Sequence, residues 1–184
     1  MMKKILVFLS LLIFLFSFSI SAFAKDNDNL EVSSELAQKV NYELPYPGLL
    51  PDHPLYILRI IRDRIVDFLI SDPLKKAEFN LLQADKRLNA GIYLFNKGKI
   101  SMSISTISKA ENYFEKAIQK IKEAKGQGRE TSEIINKVIN SGKKHKEVLK
   151  SLEEKAPEDF KSSFNLQLKR ADKFAQEAIG LRLK

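Results

Sequence analysis

From residue 55 onward, apolar side chains return every three or four residues in five separate runs, the first four each closed by a proline or glycine signal. That spacing puts them on one face of a helix, so five helices are predicted. The first opens at Asp52-His53-Pro54, where an aspartate can accept from unpaired N–H groups and a proline suits the first turn. Leu55, Leu58, Ile61, Ile65, Phe68 and Leu69 line its face, and Ile57, Ile60 and Val66 widen it, which predicts a central, core-facing helix. Arg59 and Asp63 stand four apart and are placed to pair.

Ser71-Asp72-Pro73 repeats the start signal and opens a second helix. Leu74, Leu81, Leu88 and Phe95 recur every seven residues in it, with Ala77, Ala84 and Gly91 between them. Large residues alternating with small ones let a neighbouring helix approach closely. Asn96-Lys97-Gly98 ends it, the glycine suiting a left-handed cap. A third helix, over about residues 100–125, carries Ile104, Ile107, Phe114, Ala117, Ile118 and Ile121, and Gly126-Gln127-Gly128 closes it. A fourth runs from a cap at Thr131 or Ser132 to about residue 155 with Ile134, Val138, Ser141, His145, Val148 and Leu152 on its face. Ala156-Pro157-Glu158 starts a fifth, striped by Phe160, Phe164, Leu168, Ala171, Ala175 and Ala178. No strand pattern and no solenoid-length repeat is present. Short connections favour antiparallel neighbours, so the fold class is all-α: an elongated up-and-down antiparallel helical bundle of about five helices, each roughly 35 Å long at 1.5 Å per residue.

The chain upstream of residue 55 follows other rules. Pro45, Pro47, Pro51 and Pro54 fall within residues 42–54 and exclude helix there. The segment reads as a proline-rich strap over the bundle, with Tyr46, Leu49 and Leu50 packed down; the alternative is a proline-rich ligand for a partner's aromatic groove through the same three residues. Residues 30–40 have the spacing of a short helix, with Leu36 and Val40 on one face. Residues 5–20 are apolar apart from a few serines, preceded by Lys3 and Lys4 and followed by Ser21-Ala22-Phe23-Ala24. That is the pattern of a signal peptide over residues 1–24, cut after Ala24. Extended to Phe23, the same stretch gives the alternative, an uncleaved membrane anchor. Residues 25–45 then form a flexible acidic leader, and residues 46–184 one helical domain, in which 46–98 hold the strap and two helices and 99–184 three more.

Charge sharpens this picture only a little. The net charge is +8, and +6 without the leader lysines. Residues 25–50 carry two lysines against five acids, whereas residues 99–184 carry nineteen Lys and Arg against twelve acids. An acidic leader before a basic body biases the protein toward anionic surfaces. Lys143, Lys146 and Lys150 lie within roughly 60° of each other on the fourth helix, the one compact basic patch and a candidate contact for an anionic envelope polymer or lipid headgroup. It lacks the interleaved aromatics that stack on bases, so nucleic acid is not expected as a partner.

The inventory for chemistry is thin: no cysteine, no tryptophan and two histidines. Without cysteine there is no disulfide staple and no thiol nucleophile. His53, beside Asp52 among the prolines, suits a turn or cap better than proton transfer. His145 sits on an apolar stripe, where a boundary histidine with one ring nitrogen bonded is expected; a ligand or pH-sensing role is the alternative. Lys143, Lys144 and Lys146 around it disfavour a metal cation. The carboxylate pairs Glu153-Glu154 and Glu158-Asp159 fall at helix ends, where solvation and the helix dipole account for them. No catalytic residue, cofactor or metal site is expected, so the chain is not read as an enzyme.

Residues 46–88 also carry a resemblance. Pro47-Gly48, Pro51-Asp52 with Pro54, Asp72-Pro73, Lys75-Lys76-Ala77-Glu78 and Arg87-Leu88, in that order, resemble bacterial proteins grouped as domain of unknown function 5667. Phe79 stands where that pattern more often has leucine. The resemblance implies an exported or membrane-tethered helical protein and brings no catalytic residues. The combined expectation is a secreted or extracytoplasmic, cell-envelope-associated interaction or scaffold module that docks on a protein or an anionic envelope component. The alternative is a bundle holding a small apolar or anionic ligand between its helices. An exposed apolar stripe over a sealed core points to the first, and an enclosed pocket with convergent polar groups to the second.

Overall fold

A computed structural model describes residues 40–183. The expected signal peptide, most of the acidic leader and nearly all of the short helix expected over residues 30–40 lie outside them. Among the described residues there are five helices and no strand: α1 (Tyr56–Leu69), α2 (Pro73–Asn96), α3 (Ile100–Gly126), α4 (Ser132–Lys155) and α5 (Glu158–Leu183). The signals at the two ends of α2 and the end of α3 act as their chemistry dictates, whereas Thr131, at the start of α4, makes no side-chain cap bond. Asp72 Oδ1 accepts from the N–H groups of Leu74 and Lys75 at 2.9 and 3.0 Å, with Pro73 as the first helical residue. Gly98 and Gly128 both take φ of +73°, the left-handed region that glycine enters at no steric penalty.

α2, α3, α4 and α5 pack together, α2 on α3 and α4, and α5 on α3 and α4. Side-chain pairings give their directions. Ile107 lies against Gly91 and Tyr113 against Arg87, so α2 and α3 run antiparallel. Ala175 lies against Gly142 and Asn165 against Glu153, so α4 and α5 do too. α3 and α5 run parallel, since Arg170 reaches Ser108 and Lys125 reaches the Leu181 carbonyl. The stripes of these four helices form the core in two clusters. One holds Leu81, Phe114, Ile118, Ile121, Val138 and Phe174; the other holds Leu88, Ile107, Leu149, Leu152 and Phe164.

The first helix departs from expectation. It was expected to be central and capped by Asp52; instead α1 begins at Tyr56 with no side-chain cap and lies outside the four-helix set. Asp52 binds Lys97 and Lys99 at 3.2 and 2.8 Å, while His53 Nδ1 accepts from the Leu55 N–H, a turn role. The buried residues of α1 are Arg59 and Asp63, and its apolar face points outward, with Phe68 85% and Leu69 70% exposed. The cause lies on α2. Lys76, Asn80, Gln83 and Arg87 form a polar stripe at helical spacing, and a polar stripe receives the polar face of its neighbour. Asp63 sits among Arg62 (2.8 Å), Arg59 (3.7 Å) and Arg87 (3.8 Å), and Asp67 pairs with Lys76 at 3.2 Å. Buried charges hold only when paired, and these ion pairs fix the helix apolar side out even though Asp63 Oδ2 and Asn80 Oδ1 make no hydrogen bond.

Residues 40–55 form no helix. Arg59 Nη1 donates to the carbonyls of Pro47 and Leu49, and Asn89 Nδ2 donates to that of Pro45 at 3.0 Å. The buried side chain of this segment is Pro47. Tyr46, 74% exposed, and Leu49 face solvent and Leu50 is half-buried, so the three residues expected to pack down do not do so together.

Candidate functional site

Two arrangements stand out from an otherwise ordinary helical core. The first lies between the two apolar clusters, where a layer of polar side chains interrupts all four stripes but that of α5. Asp85 of α2 falls between Leu81 and Leu88, Glu111 of α3 between Ile107 and Phe114, and Ser141 and His145 of α4 between Val138 and Leu149. All four are buried, with His145 and Glu111 at 0% exposure. His145 Nδ1 meets Glu111 Oε1 at 2.8 Å, and Nε2 meets Asp85 Oδ1 at 3.1 Å. Ser141 Oγ donates to Asp85 Oδ1 at 2.5 Å, and Tyr42 Oη donates to Asp85 Oδ2 at 2.6 Å. The Phe114 ring closes one side, its centroid 5.0 Å from that of the imidazole.

His145 is therefore not the half-packed boundary histidine expected from its position. Both ring nitrogens are bonded to carboxylates. Burial alone would push the imidazole pKa down, but Glu111 and Asp85 outweigh it and raise the value to about 9, so the ring is an imidazolium at neutral pH. Burial and Asp85 push the Tyr42 phenol up, which keeps it a donor. A histidine between two acids has the parts of a proton relay, but the ring itself is fully buried and both of its nitrogens are bonded to carboxylates. Tyr42 also lines an open cleft of about 740 Å³ with Leu44, Asn89, Ile92, Lys144 and Val148. Its hydroxyl stands between that cleft and Asp85.

The second arrangement is the outward face of α1, described above. The basic patch expected on α4 is present but muted: Lys143, Lys146 and Lys150 are all exposed, and Lys146 is held by Asp172 of α5 at 2.5 Å. Tyr46, Leu49 and Leu50 do not converge with it or with His145. Neither the carboxylates around His145 nor the orientation of α1 was expected from the sequence. The signals were there: Asp85 and Glu111 each stand at a core position of an apolar stripe, and α2 carries its polar stripe opposite α1.

The fold and these two features define an all-α protein built as a four-helix core with an amphipathic helix attached through charge. A family described as Domain of unknown function (DUF5667) matches residues 48–159, from the segment before α1 to the start of α5, and the chain belongs to it. No curated protein and no solved structure matches the chain. Among the described residues, no helix is long and apolar enough to cross a membrane.

Proposed function

We propose that this is an exported, non-enzymatic interaction module of the cell envelope that docks through the outward face of α1. The observation that carries the proposal is that face itself. Ile57, Leu58, Ile61, Ile65, Phe68 and Leu69 are each at least 48% exposed on one short helix. Contiguous apolar surface of this kind marks an interaction site. The export part rests on the leader pattern of residues 1–24, and the absence of catalysis on the closure of the His145 centre. A ligand held between the helices fits less well, because the convergent polar groups of the core are occupied by one another.

The triple substitution Ile57→Ser, Ile61→Ser, Ile65→Ser tests this reading. On a docking face it leaves the thermal unfolding midpoint within about 2 °C of the native protein and removes co-sedimentation with isolated envelopes. Were these side chains part of the core, each change would cost about 2–5 kcal/mol and the midpoint would collapse.

A further inference from the structure

The outward face of α1 has a definite charge pattern as well as an apolar one. At about 100° per residue, Ile57, Phe68, Ile61, Ile65, Leu58 and Leu69 span an arc of about 120°. Arg64 borders one edge of that arc and Arg62 the other. Both are exposed, the Arg62 side chain by 64% even as it touches Asp63. The two acids of α1 are turned the other way, Asp63 buried in the arginine seam and Asp67 bound to Lys76. Nearby, the pKa of Lys86 is lowered, by burial first and then by Arg59 and Arg62.

Whatever covers this face must be apolar at the centre and anionic along both edges. A second copy of the chain fails on the edges: packing α1 against α1 brings arginine rims together, and the acids of each helix lie off those rims, Asp63 buried and Asp67, though its side chain is 43% exposed, held by Lys76. A protein groove would have to supply concavity and two acidic rims in register with a convex helix. A leaflet of anionic phospholipid supplies acyl chains and phosphates along the whole helix with no register to satisfy. α1 has 14 residues, too few to span a bilayer, which needs about 20, but an amphipathic helix with a basic border lies in the headgroup plane.

We infer that α1 is a lipid-surface helix, its apolar arc seated at the acyl boundary of an anionic leaflet and Arg62 and Arg64 set against the phosphates. This rests on the reading of α1 as a docking face and names the occupant. It places α1 parallel to the leaflet, with the four-helix core hung from it by the Asp63 seam. Raising salt weakens the contact, because the edges act through screened charge.

The test uses the full chain carrying Ile61→Cys labelled with an environment-sensitive fluorophore, and a second chain labelled at Lys150→Cys. The probes are vesicles of phosphatidylcholine alone, and of phosphatidylcholine and phosphatidylglycerol in equal parts, with or without nitroxide-bearing acyl chains. A site-specific label separates α1 from any binding by residues 5–20. The expected result is a blue shift at position 61 with the anionic vesicles, quenched by the nitroxide, and no shift at position 150. Adding Arg62→Gln and Arg64→Gln should raise the lipid concentration at half-shift by roughly ten- to thirtyfold. Four results overturn the inference: no shift at 61, an equal shift with uncharged vesicles, a shift at 150 instead, or a concentration-dependent shift without vesicles, which would identify a second copy as the occupant. If the serine triple variant keeps its stability and loses envelope binding while position 61 stays silent on vesicles, docking stands and only the lipid is wrong.

Discussion

Replacing His145 with alanine should lower the unfolding free energy by about 3–5 kcal/mol, the range for removing one partner from a buried charged set. The imidazolium is all that stands between Asp85 and Glu111, both buried, and Glu111 Oε2 already has no hydrogen-bond partner. Taking the ring away leaves two facing carboxylates in an apolar layer and a void against Phe114. Urea unfolding measures the loss as a fall in midpoint. The same residue governs a pH dependence whose direction follows from its raised pKa. Folding lifts the value from 6.5 to about 9, so the folded state holds a proton that the unfolded state releases. The stabilisation is complete below about pH 6.5 and drains away as pH rises through 9, by about 3 kcal/mol in all. The native protein should lose stability steadily across that window, and His145→Ala should lack the part of that slope that the imidazolium supplies. Equal slopes in the two proteins would mean that the proton sits elsewhere.

Gly91→Ala is the second large effect, and here two rules oppose each other. In a helix interior, alanine is favoured over glycine by about 1 kcal/mol. At position 91, however, a Cβ would stand 2.4 Å from Ile107 Cγ1 and 2.9 Å from Cδ1. Ile107 is fully buried, and a β-branched side chain in a helix has one strongly preferred χ1, so it cannot swing aside. Ser103 Oγ donates to the Gly91 carbonyl at 2.7 Å and ties the two backbones together. Overpacking wins, and a net loss of about 1–3 kcal/mol is expected. Ile107→Ala removes both obstructing atoms, so the double variant should be less destabilised than the sum of the single changes. Strict additivity would show that α2 and α3 do not approach as closely as described.

These two sites show what the sequence could and could not disclose. The alternation of Leu81 and Leu88 with Ala84 and Gly91 is a local signal, and it marked the close α2–α3 approach correctly. Helix ends were legible for the same reason: Asp72, Pro73 and Gly98 act on their own neighbours. The His145 centre was not legible as a whole, because its members lie 34 and 60 residues from His145. Their meeting depends on how three helices are set in register. The stripes read from the spacing named only the apolar residues around Asp85 and Glu111, and the two carboxylates were passed over. α1 misled for a related reason. Periodicity shows that a helix has an apolar side; which way that side turns is decided by the surface it meets. Here that surface is the Lys76, Asn80, Gln83 and Arg87 stripe, and the charge it carries outweighs the apolar pattern of α1.

The outward orientation of α1 is open to direct measurement because the chain has no cysteine of its own. In purified protein carrying either Ile61→Cys or Leu88→Cys, maleimide should modify position 61 about as fast as an unfolded chain and leave position 88 untouched until the protein unfolds. Protection of position 61 to the same degree as position 88 would put the apolar face of α1 inside, and neither the docking role nor the lipid contact would survive it.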